Sequence, residues 1–327
     1  MKLRSWIAAS LALVAVCLAS AATAQGWPAK PIRLIVTFTS GGGTDVVARI
    51  VAPKLSEALG QPVIVENRPG AAGIVGTEIA VKSPPDGYTL LLAAAGATTI
   101  APNLYPKDKV PFDPVKDLLP ITLVATVPFI ITAHPSVPAA NLRELIAYAK
   151  ANPDKLNYGS SGNGGSPHLA GELFERVAGV NMVHVAYKGL GPAITDLLGG
   201  QIQLVFADVG LVAQHVKSGK LRALAATSGQ RSAALPEVPT VAEAGVPGYH
   251  AATWYGLAAP AGIPTTVRDR LATEMQKIIT MPYVRAQLAA AGNEVPNMTM
   301  EQFARLVRED YDKWQKLIVE IGGIKVE

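Results

Sequence analysis

Two glycine-rich loops hold the residues best placed to do chemistry: FTSGGGTD from Phe38 to Asp45, and YGSSGNGGSPH from Tyr158 to His168. Each follows an apolar, strand-like run and leads into a helix-like run. That order aims unpaired backbone N–H groups and the positive end of a helix at one point in space. Such points bind anions. Two of them, roughly 120 residues apart, predict two lobes gripping opposite ends or faces of one small anionic ligand.

The other chemistry-bearing side chains argue against an enzyme. Ser160 and Ser161 do not form a G-x-S-x-G nucleophile elbow, because Tyr158 stands two places before Ser160 and Asn163 two places after Ser161. The histidines, His134, His168, His184, His215 and His250, are scattered without metal-ligand spacing. The run GGGTD is glycine-rich like a phosphate loop, but no G-K-[ST] follows it, so nucleotide hydrolysis is not expected. No cofactor and no metal is expected.

The elements that must position these loops alternate between short β-like and longer helical runs, the pattern of an α/β chain with largely parallel sheets. Strands are expected over Ile32–Phe38, Val63–Glu66, Thr89–Ala93, Ile130–Ala133, Leu204–Phe206 and Leu221–Ala225. After the first loop, Val47, Ile50, Val51, Leu55 and Leu59 recur at helical spacing, which predicts a helix over Thr44–Leu59 with Gly60 as its stop. Pro53 inside it predicts a kink or a broken bond. After the second loop, Ser166 can cap a helix and Pro167 suits its first position, with Leu169, Leu173, Phe174 and Val177 on one face. A last amphipathic helix carries Phe303, Leu306, Val307, Tyr311, Trp314, Leu317, Ile318 and Ile321 on one stripe, read as core packing. No fixed-period repeat interrupts this order.

At the start of the chain, Lys2 and Arg4 precede an apolar stretch from Trp6 to Ala22 that ends in Ala22-Thr23-Ala24. This is the pattern of a secretory signal peptide cleaved after Ala24, which predicts a periplasmic protein. A membrane anchor is the alternative, but the stretch is short and ends in small residues. A lipoprotein signal at Cys17 is a second, with Val16 standing where a small residue is usual. Cleavage after Ala24 removes Cys17, the only cysteine of the 327 residues, and with it any disulfide chemistry. A net charge of +4 without a dense Lys/Arg run excludes a nucleic-acid surface. The length favours two lobes of ordinary domain size.

Eight stretches, in order, resemble the tripartite tricarboxylate transporter receptor family, also called the Bug or TctC family of periplasmic solute-binding proteins. They are FTSGGGTDVVARI from Phe38, VENRPGAAGIVG from Val65, PPDGYTL from Pro84, LNYGSSGNGGSPHLAGELF from Leu156, VHVAYKGLGPAITDLLGGQI from Val183, SGKLRALAAT from Ser218, RSAALPEVPTVAEAG from Arg231 and WYGLAAPAGIP from Trp254. The resemblance implies a two-lobed periplasmic binding protein fold, each lobe a mostly parallel sheet flanked by helices, with the ligand cleft between. The first lobe would comprise 25–127 plus 248–327 and the second 128–247. Closure on a small organic acid would present the receptor to the permease subunits of a tripartite transporter. A partnership with a membrane sensor kinase is equally compatible with one chain, and a periplasmic hydrolase is the remaining alternative.

In the family a ligand carboxylate is held mainly by backbone amides and waters from the first loop. By that resemblance Ser40, Gly42, Gly43 and Thr44 would contact one carboxylate, while Ser160, Ser161, Asn163 and Ser166 would face the other end. Thr39 and Ser40 depart from the family's usual proline or alanine. Ser160 and Ser161 also fit plain turn chemistry. Asp45 either contacts the ligand or only complements the helix dipole. Asp208 either faces the cleft, where a carboxylate requires a ligand that also carries a donor, or caps a turn before Gly210. Tyr187 borders the cleft, and Phe38 either lies over the ligand or belongs to the core. Di- or tricarboxylates, aromatic acids and amino acids all remain open as cargo.

Overall fold

The computed structural model describes residues 26–249 and 251–320. The expected signal peptide, His250 and Ile321 therefore lie outside the described residues, as does the side chain of Leu317. The strands are β1 (Ile32–Val36), β2 (Val63–Asn67), β3 (Thr89–Ala94), β4 (Leu118–Ala133), β5 (Asn157–Ser160), β6 (Val183–Ala186), β7 (Leu204–Asp208), β8 (Arg222–Ala226) and β9 (Ala252–Pro260). The main helices are α1 (Gly43–Leu59), α2 (Ile74–Val81), α3 (Leu142–Ala151), α4 (Ser166–Ala178), α5 (Leu190–Leu198), α6 (Val209–Lys217), α7 (Thr265–Thr280), α8 (Pro282–Ala290) and α9 (Met300–Glu320). A π-turn over Gly96–Ile100 runs on into a short helical turn, Ala101–Leu104.

One continuous sheet joins these strands in the order β2-β1-β3-β9-β4-β7-β5-β6, with β8 also paired to β4. The outer pairs of each half are parallel, β2 and β3 on β1, and β6 and β7 on β5. The pairs made by β4 and β9 are antiparallel, so each half is mixed. The two halves carry separate cores. In the first, Ile32, Leu34 and Val36 of β1 face Val47, Val51 and Leu55 of α1, together with Leu271 and Met275 of α7. Ile35, of opposite parity, turns to the other face and packs with Leu91, Trp254 and Phe303. In the second, Phe129 and Ile131 of β4 pack with Leu145 of α3 and Phe174 of α4. Ile130, between them in sequence, joins Val205, Leu190 and Val212 on the opposite face.

Strand β4 belongs to both halves. It pairs with β9 from Leu118 to Pro128, and then with β7 from Phe129 onward. Pro128 has no N–H to give to a ladder, which suits it to the point where partners change. Thr227 ties the two crossings together. Its hydroxyl donates to the Ala251 carbonyl at 2.6 Å and accepts from the Phe129 N–H at 2.9 Å. Helix α9 also links the halves: Asp310 accepts from Thr99 Oγ1 at 2.6 Å and from the indoles of Trp254 and Trp314 at 3.0 Å each. Trp314 and Ile318 then pack with Ile100 against Leu169 of α4.

The long β4 departs from the short strand expected at Ile130–Ala133, because Pro120 and Pro128 break the sequence pattern of a strand that bulges past the first and changes partners at the second. Helix α1 continues through Pro53 to a left-handed cap at Gly60 (φ 71°). Helix α4 begins one residue earlier than its proline suggests: Gly165 is the N-cap, Ser166 opens the helix, and the Ser166 hydroxyl caps nothing. Of the last stripe, Phe303, Val307, Trp314 and Ile318 are buried. Phe303 has 0% exposure, and its ring sits where any side chain at Gly256 would lie, a contact of 2.2 Å. Phe303→Ala should destabilise the fold by about 3–5 kcal/mol, read as a lower urea midpoint at unchanged slope.

Candidate ligand-binding site

The starts of several helices meet between the two halves. Gly42, Gly43 and Thr44 open α1, Ser166 and Pro167 open α4, Leu190 opens α5, Asp208 precedes α6, and Gly96 opens the π-turn; all of these residues line one chamber. Phe38, Ala94, Phe129, Ser161, Thr253 and Tyr255 complete its wall, which among the described residues contains no Lys, Arg or His. The first N–H groups of each helix have no partner inside their own helix, and the peptide dipoles place positive potential at the same ends. The chamber therefore favours an anion through neutral donors. It holds about 30 Å³, room for about two water molecules. An organic acid requires the halves to move apart to enter. A second pocket of about 200 Å³ adjoins it, sharing Phe38 and Ser161 and lined further by Ala71, Ala72, Tyr105, Asn163, Tyr187 and Lys188.

The first loop is held from behind by Asp45. Its Oδ2 accepts from the Gly41 N–H and Arg49 Nε, both at 2.9 Å, and from the Ser40 hydroxyl at 3.2 Å. Its Oδ1 accepts from Asn67, which also donates to the Phe38 carbonyl. Burial works against ionisation of this carboxyl, but the bonds from Arg49, Gly41 and Asn67 outweigh it and hold the pKa below the usual carboxylate value. Asp45 thus fixes the loop whose amides open into the chamber, while its own oxygens point away from it.

The second loop rests on a buried polar stack. His168 lies over His184 with ring centroids 3.8 Å apart. The Gly164 N–H donates to His168 Nδ1 at 3.0 Å, and Ser160 Oγ lies 2.6 Å from His184 Nε2. Tyr158, with 0% exposure, donates from its hydroxyl to Glu172 at 2.9 Å. Burial, with His168 beside it, pushes His184 down to about 3, so this imidazole is neutral at physiological pH.

Close approaches of the halves surround the chamber, and glycines make them possible. A Cβ on Gly43 would lie 1.6 Å from Asp208 Oδ2, and one on Gly96 would lie 2.9 Å from the Ser166 nitrogen. At Gly189 it would meet Thr39 Oγ1 at 2.3 Å, and at Gly210 the Ala291 carbonyl at 2.0 Å. Hydrogen bonds cross the same gap. Tyr255 of β9 donates to Asp208 Oδ2 of β7 at 2.6 Å, and Tyr105 donates to the Asn163 carbonyl at 3.0 Å. Ser166 Oγ and Thr253 Oγ1 lie 3.1 Å apart.

The chain matches the tripartite tricarboxylate transporter family receptor over residues 47–323. It belongs to that family. Among solved structures, it is similar to a protein of R. palustris solved with adipate, at 34% identity and TM-score 0.87 over 91% of this chain and 99% of that one. The periplasmic binding protein BugD is similar at 36% identity and TM-score 0.86, covering 91% of this chain and 99% of its own. MatC from Rhodopseudomonas palustris with bound malate is similar at 30% identity and TM-score 0.85, over 89% and 100%. The two-lobed fold of periplasmic binding proteins accounts for the two halves described above, and no helix among the described residues is long and apolar enough to cross a membrane.

Of the receptor-site residues expected from sequence, Phe38, Gly42, Gly43, Thr44, Ser161, Ser166 and Asp208 line the chamber, and Asn163 and Tyr187 line the adjoining pocket. Ser40, Asp45 and Ser160 line neither. Ser40 turns back to Asp45, and Ser160, with 0% exposure, is engaged by His184 and by Gly162. Sequence reasoning missed Tyr255, Thr253 and Gly96. The signal for the first two was the Thr253-Trp254-Tyr255 run itself, which alternates as a strand once β9 is recognised. Also missed were Ala71 and Ala72, both in the left-handed region (φ 45° and 51°), which bring a tight turn to the outer pocket.

Gly43→Ala should weaken binding of any chamber ligand at least about tenfold, because the new methyl would lie 1.6 Å from Asp208 Oδ2 and 2.7 Å from the Tyr255 hydroxyl; calorimetric titration checks it. Asp45→Asn should lower stability at neutral pH. The wild-type carboxyl has a depressed folded pKa, so its contribution is fully present above the unfolded value of about 3.9 and lost as pH falls through the folded one; the melting temperatures of variant and wild type should converge in acid.

Proposed function

We propose that this chain is the periplasmic receptor of a tripartite transporter, closing two lobes over a small organic acid and presenting the closed form to the membrane permease subunits. The observation that carries the reading is the chamber wall: helix starts and hydroxyls aimed inward, with no cation to hold an anion irreversibly. Relatives solved with adipate and with malate make di-acids the first class to try. Delivery across a membrane suits neutral donors, since a buried Arg would demand its own partner once the cargo left. In this reading the chain is exported by a signal peptide cleaved after Ala24 and acts without a cofactor.

The lobe division follows the exchange of partners in β4. The first lobe ends at Val127–Pro128, and the second runs from Phe129 to Ala251, since Tyr249 and Ala251 pack into the second core. Opening would bend the sheet at these two points.

One observation favours a hydrolase, the 2.6 Å contact between Ser160 and His184. The arrangement lacks what a nucleophile needs. Ser160 has 0% exposure, its Oγ also bonds Gly162, and Glu172, the carboxylate beside the imidazole stack, pairs with His168.

Thermal unfolding of the processed protein against succinate, malate, adipate, citrate, benzoate and acidic amino acids tests the proposal. A cargo present at about a hundred times its Kd should stabilise the fold by about 2.7 kcal/mol, a shift of several degrees. No shift with any acid, after unfolding and refolding to strip carried ligand, would sink it.

A further inference from the structure

We propose that Asp208 reads a hydrogen-bond donor on the ligand, so that the chamber prefers acids carrying an ammonium or hydroxyl group on the carbon beside a carboxylate over bare acids of the same length. The inference rests on the carboxylate-receptor reading and adds to it the chemistry of the cargo's second group.

Asp208 is 3% exposed, and its Oδ2 accepts one hydrogen bond, from Tyr255. Its other oxygen, Oδ1, is buried and accepts none. A buried carboxylate with an orphaned oxygen is costly, and the cost is relieved by a donor that arrives with the ligand. Among the described residues, no group on the chamber wall supplies a counter-charge, since Asp208 and Tyr255 are the titratable side chains that line it. Burial pushes Asp208 up to about 6, against the stabilising bond from Tyr255 and a weaker one from its own backbone N–H. The Tyr255 hydroxyl is itself driven well above its ordinary range by burial and by Asp208, so it stays a donor.

Position sets which carbon carries the donor. Asp208 Oδ2 lies 1.6 Å from where a Cβ of Gly43 would be, directly against the first turn of α1. The amides of that turn are the ones a ligand carboxylate would meet. A donor able to reach Asp208 from a carboxylate bound there must sit one or two bonds away, on the adjacent carbon. A bare acid brings its charge beside Asp208 with nothing to offer, so it binds only with a proton taken up by Asp208. An α-amino acid binds to ionised Asp208 and needs no such proton.

Matched pairs provide the test: succinate against malate and aspartate, glutarate against glutamate, and adipate against 2-aminoadipate, titrated calorimetrically into wild type and Asp208→Asn. At about pH 8, wild type should favour the donor-bearing member of a pair that fits by about tenfold or more. Asn keeps the shape of Asp208, loses its charge and can donate to a bare acid. Asp208→Asn should therefore erase the preference for the ammonium. In wild type alone, the same preference should fall as pH is lowered to about 5, where Asp208 protonates, while the free amino acids keep their ammonium. Equal affinities within every pair at both pH values, or an unchanged ranking in Asp208→Asn, would overturn the role of Asp208 and leave the carboxylate receptor standing. Failure of every acid, bare or substituted, to bind would overturn both.

Discussion

The structure depends on one strand, β4, being shared by both halves. Because β4 runs through the sheet as a member of both halves and the chain returns to the first half at Ala251, just before β9, the two halves are joined through Pro128 and the residues around Ala251. Thr227 holds those two crossings side by side by bonding Phe129 and Ala251 at once. In the proposed receptor, an anion site drawing amides from both lobes would be complete only when they meet, which would make closure and binding one event.

Neutral donors succeed in such a site only if they are held still. A loop of three glycines would otherwise lose much of its electrostatic advantage to motion. Asp45 supplies the restraint on the first loop, spending its charge on Gly41, Ser40, Arg49 and Asn67 instead of on a ligand. On the second loop the same task falls to stacked imidazoles and to Ser160. Ser40, Asp45 and Ser160, close to the glycines in sequence, are thus supports, and the carboxyl group on the chamber wall, that of Asp208, arrives from a strand end far along the chain.

That division explains what could be read from sequence. Gly42, Gly43, Thr44 and Ser166 were legible because a helix start announces itself locally, through an apolar period and the small residues before it. Ser40, Asp45 and Ser160 share those loops, and nothing in a linear string tells which hydroxyl or carboxylate faces inward and which bonds backward. Gly96 carries no local mark, and the Thr253-Trp254-Tyr255 run marks a strand without saying what that strand lies beside. Gly96 and Tyr255 reach the chamber because β9 returns beside β3, with Tyr255 opposite Ala94, and such a non-local pairing has no signature in spacing. The length of β4 was hidden for a different reason, since its two prolines are punctuation in most chains and here mark a bulge and a change of partner.

The last helix gives the molecule an optical property. Trp314 is carried by an element anchored to the first lobe through Asp310, yet its indole is buried beside Leu169 of the second. Parting the lobes would withdraw that neighbour and wet the ring. The protein therefore holds a native fluorophore on its own seam, and its emission colour should follow the opening of the cleft without any attached dye.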